Sequence, residues 1–205
     1  LYAHPTAPRN QPWLLPEDAI HPASLRDTFA ELRIHPGELG EAELLPFVPR
    51  GAEIDQEKDK RILGLATSLA QCCTIHNAAT WILEHEEWDF LAVYYEAIDH
   101  ICHAFAQFHP PRMEAVPEEQ FEIYKEVVTG AYRFHDMMLE RLLKLAGPEA
   151  TIVLVSDHGF HSDHLRPRRI PREPAGPAAW HRPYGVICLK GPHIRRDERV
   201  YGATV

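Results

Sequence analysis

The sequence predicts an α/β fold in which a mostly parallel sheet is flanked by helices. Stretches with apolar residues at helical spacing alternate with short apolar runs, which is the element order typical of α/β domains. The run TIVLV, from Thr151, is rich in β-branched residues, as expected of a strand that a parallel sheet buries on both faces. We therefore expect the strands of this chain to share one sheet.

The composition is ordinary for a globular protein and disfavours several functional classes. Hydrophobic residues make up 45% and charged residues 25% of the 205 positions, which argues against disorder. A formal net charge of -9 argues against binding a nucleic-acid polymer through its phosphates. No apolar run reaches the length of a membrane helix, about 18 residues, and no signal peptide is recognisable. Four cysteines without a CxxC spacing suggest buried thiols, which favours the cytoplasm.

The first quarter of the chain is predicted to be irregular. Prolines interrupt residues 1–54 repeatedly and leave room for a short helix from Ser24 and a helical turn at 38–45. Residues 55–205 form the α/β part that carries the candidate site. We treat 1–205 as one domain. Because the chain opens on a proline-rich loop and stops where an element begins, we expect that domain to be incomplete at both ends.

Helices and strands alternate in the α/β part. Apolar residues at helical spacing predict one helix from Asp55 to about His85 and another from Glu118 to Leu145. Apolar runs bounded by charged or turn residues predict strands at FLAVYY from Phe90, TIVLV from Thr151 and YGVICLK from Tyr184.

The segment IDHICH, residues 98–103, carries a first pair of candidate metal ligands. Asp99 and His103 are four positions apart, so one helical turn brings both side chains to the same face. Two ligands of one ion require that proximity, although a surface ion pair would show the same spacing.

A second pair follows the predicted strand TIVLV in the segment SDHG. Asp157 and His158 stand at the carboxyl end of that strand, where open parallel sheets gather their ligands. Gly159 permits the sharp turn that would direct both side chains to one centre. A structural turn would explain the Gly and the Asp but gives no reason for the His.

His181, in WHRPYG just before the third predicted strand, is the remaining candidate. Together the three segments offer two aspartates and three histidines, an N and O donor set that suits Zn, Mn or Fe and differs from an all-oxygen Ca site. We expect each segment to lie at a strand edge of one sheet and all of them to contribute to a metal centre.

The motifs IDHICH, VSDHGF and HRPYGVICLKGPHI in combination resemble the alkaline phosphatase superfamily, and most closely its type I phosphodiesterase/nucleotide pyrophosphatase branch. The resemblance implies an alkaline-phosphatase-like fold and two divalent metal ions, usually zinc. It assigns Asp99, His103 and His181 to one ion, and Asp157 and His158 to the other.

The same resemblance implies a Thr or Ser nucleophile and a further Asp ligand, and neither has a match in residues 1–54. We therefore expect the nucleophile upstream of Leu1, in which case the chain is a C-terminal portion of the catalytic domain. Loss of the nucleophile is the alternative. His161 and His164 are interpreted as a polar loop or as support for the ligands.

The resemblance implies an enzyme that hydrolyses phosphodiester or nucleotide pyrophosphate bonds of a small phosphorylated substrate. A phosphomutase or sulfatase of the same superfamily, and a non-catalytic metal-binding domain, remain alternatives. The sequence makes no prediction of substrate identity or oligomeric state.

Overall fold

A computed structural model of the chain describes residues 20–171, 176–199 and 201–202. The chain divides into two compact units, Leu1–Met138 and Leu139–Val205. Within the described residues, no helix combines the length and apolar character that crossing a membrane requires.

The first unit is helical. Its described residues form α1 (Arg26–Glu31), α2 (Glu41–Leu44), α3 (Arg61–His85), α4 (Ala97–Phe105) and α5 (Glu118–Tyr124), and α6 (Val127–Ala146) begins in it. The long helix predicted from Asp55 is confirmed in type but begins at Arg61, where the Asp59 carboxylate accepts the Arg61 backbone N–H at 3.0 Å. The helix predicted from Glu118 is divided in two, with a break at residues 125–126.

The core of this unit lies between the buried face of α3 and the aromatic side chains that follow it in sequence. Leu65 and Leu69 of α3 are buried at helical spacing, as the periodicity predicts. Phe105, Phe108 and Tyr124 are each 1% exposed, and their ring centroids lie 5.2 to 6.3 Å apart. Burial of this aromatic group contributes to the hydrophobic stabilisation of the unit.

The strand predicted at Phe90–Tyr95 is wrong. The segment has no regular secondary structure and alternates in burial, with Leu91, Val93 and Tyr95 partly buried between exposed neighbours, but it has no strand partner among the described residues. Phe90 is 85% and Tyr94 75% exposed. A short apolar and aromatic run predicts residues that suit a strand, whereas the strand itself also requires a neighbour for its N–H and C=O groups.

The second unit contains the strands. Its described elements are β1 (Ile152–Ser156), β2 (Gly159–Phe160), the short helix α7 (Gly176–Trp180), β3 (His181–Arg182) and β4 (Val186–Lys190). β1 and β4, both predicted from their apolar runs, pair from Ile152↔Lys190 to Ser156↔Val186, and β2 pairs with β3. Thus the chain has an α/β character with small sheets.

The parallel sheet predicted from the sequence is not found. Both described pairings are antiparallel, and each described sheet has two strands. An apolar run without alternation predicts a strand that can be covered on both faces, and it contains no information on the direction of the neighbouring strand. Here β1 and β4 form an antiparallel ribbon, which we call the β1–β4 ribbon.

Two glycines, one on either side of β4, allow the ribbon strands to approach each other closely. A Cβ atom on Gly185 would collide with the Ser156 carbonyl oxygen and approach the Asp157 carbonyl carbon to 2.8 Å. A Cβ on Gly191 would lie 2.9 Å from Thr151 Oγ1 at the other end of the ladder. Only glycine therefore fits at the point where β4 passes the end of β1.

Candidate metal centre

Helix α4 holds the first pair of candidate ligands. Asp99 Oδ1 lies 3.3 Å from His103 Nε2, one helical turn away, so the predicted shared face is observed. The opposite face of α4 buries Ile101, Cys102 and Phe105, each 1% exposed, which fixes the rotation of the helix. The expectation that this pair lies at a strand edge is wrong, because the segment before α4 forms no strand with any described residue.

Asp157 and His158 follow β1 directly, at the position predicted from the sequence. The Ser156 hydroxyl donates to the His158 carbonyl oxygen at 2.7 Å and so stabilises the turn that ends the strand. The Asp157 carboxylate is 76% exposed and its Oδ1 lies 4.0 Å from His158 Nε2. The turn thus presents a solvent-accessible carboxylate beside an imidazole that is largely covered.

His181 lies within β3, and the β2–β3 pairing brings it to His158. The register places Phe160 opposite His181, and the imidazoles of His158 and His181 stack with centroids 3.8 Å apart and planes at 19°. One ring nitrogen of each histidine lies within 4.8 Å of the other. The short β2–β3 pairing, two residues in each strand, therefore brings together two histidines that are 23 positions apart in sequence.

Phe160 is a residue of this group that sequence reasoning missed. Its ring meets those of His158 and His181 edge-on, with centroid distances of 5.8 and 5.1 Å. It covers both imidazoles and limits the rotamers they adopt. The sequence could have indicated this residue, because Phe160 follows His158 by two positions in SDHGF. In a strand, side chains two positions apart lie on the same face.

The loop after β2 is organised by its own polar groups. His161 Nδ1 donates to Asp163 Oδ1 at 3.1 Å, and the His161 backbone N–H donates to the Trp180 carbonyl oxygen at 2.9 Å. The Leu165 backbone N–H and then His161 lower the pKa of Asp163 below its usual value. These contacts orient His161 with Nδ1 toward Asp163. His164, in the same loop, is exposed.

The donor atoms in each unit suit a divalent transition metal. In the helical unit they are a carboxylate oxygen and an imidazole nitrogen 3.3 Å apart, and in the second unit two imidazoles beside a carboxylate. Such mixed N and O sets bind Zn, Mn or Fe in proteins. The donor chemistry therefore fits the kind of ion that the sequence motifs imply.

These observations describe a protein with helical and strand elements that offers carboxylate and imidazole ligands on a helix face and at a strand end. The sequence model of the type I phosphodiesterase / nucleotide pyrophosphatase family matches residues 10–169, and the chain belongs to this family, within the alkaline phosphatase superfamily. Comparisons with curated proteins and with solved structures gave no match.

The extent of the family match bears on the individual residues. It includes Asp99, His103, Asp157 and His158 and begins well before the motifs from which the resemblance was recognised. It ends before His181, so the assignment of His181 depends on the sequence motif and on its stacking against His158. Membership of the family supports a function of the phosphoester-hydrolase type.

Proposed function

We propose that this protein is a metal-dependent hydrolase of phosphodiester or nucleotide pyrophosphate bonds, acting on a small phosphorylated substrate. The observation that carries the proposal is the family match over residues 10–169. The local geometry supports it, because candidate ligands of the family motifs occur in pairs with mixed N and O donors.

The assignment of ligands follows the family resemblance. Asp157 and His158 are proposed as ligands of one ion. Asp99, His103 and His181 are proposed as ligands of the other. When bound, two divalent ions activate a hydroxyl nucleophile and neutralise the charge of a phosphoryl oxygen. The proposal assigns no nucleophile to the residues of this chain.

The second unit pre-organises its donors through local contacts. The Ser156 hydroxyl closes the turn on the His158 carbonyl oxygen, and the Phe160 ring packs against His158 and His181. Ligands held in one arrangement before the ion binds lose less conformational entropy on binding. Phe160 and Ser156 therefore act as positioning residues, since the proposal assigns neither of them as a metal ligand.

His161 is proposed to contact a phosphoryl or leaving-group oxygen of the substrate. Its ring is 12% exposed, and the bond from Nδ1 to Asp163 orients the ring and leaves Nε2 as the second nitrogen. An imidazole fixed by a carboxylate in this way is suited to hold or deliver a proton at Nε2. His164 is proposed only as a loop residue whose electrostatic effect helps to lower the pKa of Asp163.

Hydrolysis of a chromogenic phosphodiester by the protein encoded by the full reading frame tests the proposal. We expect activity that a chelator removes and that Zn or Mn restores. Asp157→Ala should lower kcat/KM by at least roughly a hundredfold and reduce the bound metal, because it removes a ligand. Asp136→Ala, which removes an exposed carboxylate on α6, is the matched control and should leave both quantities unchanged.

A second pair of variants tests the ligands on α4. His103→Ala should reduce bound metal and activity, while His100→Ala, three residues earlier on the exposed side of the same helix, should not. Metal content unchanged in both Asp99→Ala and Asp157→Ala would show that the ligand assignment is wrong. Bound metal without hydrolysis would favour the non-catalytic alternative, and faster cleavage of an aryl sulfate would favour the sulfatase.

A further inference from the structure

We propose that Cys72, His135 and Met138 form a binding site for a soft monovalent metal ion of the Cu(I) class in the helical unit. The site uses none of the residues assigned to the candidate metal centre. It is suggested by three different metal-binding side chains that converge between two helices.

The distances from the Cys72 sulfur to the other two donor atoms are those that a small metal ion requires. Cys72 Sγ of α3 lies 3.4 Å from His135 Nε2 and 3.8 Å from Met138 Sδ, both on α6. Metal–nitrogen bonds of about 2.0 Å and metal–sulfur bonds of about 2.3 Å separate neighbouring donors by roughly 3.5 to 4 Å. His135 and Met138 are three positions apart, so they project from the same face of α6 toward Cys72.

The orientation of His135 is that of a ligand. Its Nδ1 donates to the Ala131 carbonyl oxygen at 2.8 Å, which leaves Nε2 with its lone pair directed to the Cys72 thiol. Histidines that bind metals generally donate their second ring N–H to a carbonyl or a carboxylate in this way. The rings of Tyr95 and Phe134 meet the imidazole edge-on, at centroid distances of 5.8 and 6.0 Å, and hold its plane.

The donor set and its burial select the class of ion. Thiol and thioether sulfurs are soft ligands, and a set with two sulfurs and one imidazole favours Cu(I) over Zn, Mn or Mg. Cys72 is 2% and Met138 5% exposed, so water does not compete for the ion. Burial lowers the pKa of His135, which keeps the imidazole neutral and able to bind.

Binding exchanges one proton for one ion. Burial raises the pKa of the Cys72 thiol to about 12, so without metal the sulfur carries its proton and the S–H donates to His135 Nε2. A Cu(I) ion forms the S–metal bond as the S–H bond breaks, and the proton leaves to solvent. The charge on the site stays the same, because one positive charge enters and one leaves.

Anaerobic titration of the folded protein with Cu(I), in competition with a chromogenic Cu(I) chelator, tests this site. We expect one tightly bound ion, one proton released, and X-ray absorption showing one nitrogen and two sulfur neighbours. Zn(II) in excess should not displace it. Met138→Leu, which conserves volume, should weaken binding at least tenfold, and Cys72→Ser should abolish it.

Each of these variants has a matched control in the same unit. Met113→Leu replaces a methionine that is 7% exposed, and Cys102→Ser replaces a thiol that is 1% exposed; neither should change Cu(I) affinity. Thermal unfolding of each metal-free variant establishes that it is folded. Equal loss of binding in Cys72→Ser and Cys102→Ser, or unchanged binding in Met138→Leu, would overturn the proposal.

Discussion

The Asp59 carboxylate joins the start of α3 to α5 through a compact polar cluster. It accepts from Arg61 Nε at 2.8 Å and from the buried Tyr124 hydroxyl at 2.8 Å. The Arg61 guanidinium carbon lies 4.5 Å from the centroid of the Tyr124 ring and 5.0 Å from that of Phe108. The hydrogen bonds from Arg61 lower the pKa of Asp59 to about 2.

We expect Asp59→Asn to destabilise the helical unit by about 1–2 kcal/mol at neutral pH, since it removes charged hydrogen bonds in a partly buried position. Chemical denaturation of the chain measures the loss. Asp55→Asn is the control, because its partner Lys58 is highly exposed and exposed ion pairs contribute little.

The pH dependence of the same variant has a defined sign. The folded-state pKa of Asp59 lies below the ordinary value of 3.8, so its stabilising effect is complete above that value and is lost as the pH falls toward 2. The difference in stability between the wild type and Asp59→Asn should therefore narrow between about pH 4 and pH 2. A constant difference over that range would show that the carboxylate charge is not responsible.

Among the secondary-structure elements, the β1–β4 ribbon has its closest backbone approach at Gly185. Gly185→Ala should destabilise the second unit by about 1–3 kcal/mol, because the added methyl group would overlap the Ser156 carbonyl oxygen and force the strands apart. The displaced backbone is that of the turn carrying Asp157 and His158, so metal affinity should fall as well. Hydrogen exchange of the β1 amides and metal titration measure the two effects.

The control for this variant is a glycine in open space. Gly64 lies in α3, is exposed, and has no atom within 4 Å of an added Cβ. Gly64→Ala should stabilise the helical unit by about 0.5–1 kcal/mol through helix propensity. If both substitutions prove neutral, close approach of backbone at Gly185 does not determine the ribbon.

The helices and the extended segment show what local sequence predicts about an element. The apolar stripe that includes Leu65 and Leu69 was sufficient to predict that α3 is a helix, because the backbone hydrogen bonds of a helix form within the element itself. Its first residue depends on the Asp59 cluster, whose Tyr124 partner is distant in sequence. The segment from Phe90 has strand-like alternation, yet strand formation depends on a neighbour that its own sequence does not specify.

At the scale of the whole molecule, an exposed apolar group of the described residues lies on the β1–β4 ribbon. Side chains on both of its faces are 41 to 57% exposed: Val153, Leu154, Val155, Val186, Ile187 and Leu189. A two-stranded ribbon with apolar faces is a surface that tends to associate.

We expect the isolated chain to self-associate with increasing concentration through this ribbon. Val153 and Leu189 are directly opposed in the ladder, so Val153→Lys with Leu189→Glu should reduce association while preserving the cross-strand pair. Sedimentation analysis measures the change. Leu45→Lys with Met137→Glu, at exposed positions on other elements, adds the same charges and should have no such effect. Equal association of the two double variants would exclude the ribbon as the contact.

The candidate site was predictable to the extent that its residues are close in sequence. The four-residue spacing of Asp99 and His103 predicts their contact once the segment is known to be helical. The position of Asp157 and His158 could be predicted because they directly follow the strand β1. The stacking of His181 on His158 required the β2–β3 pairing, which is too short to be recognised from an apolar pattern.

The sequence by itself determined the types of α3, β1 and β4, the candidate ligands and the family motifs. These features depend on spacing along one segment, where covalent geometry sets the distances. The tertiary structure decided the antiparallel direction of β1 and β4 and the convergence of Cys72 with His135 and Met138. It also left the segment from Phe90 without a strand neighbour in the described part of the chain. Those features depend on contacts between distant segments, which no local pattern of residues encodes.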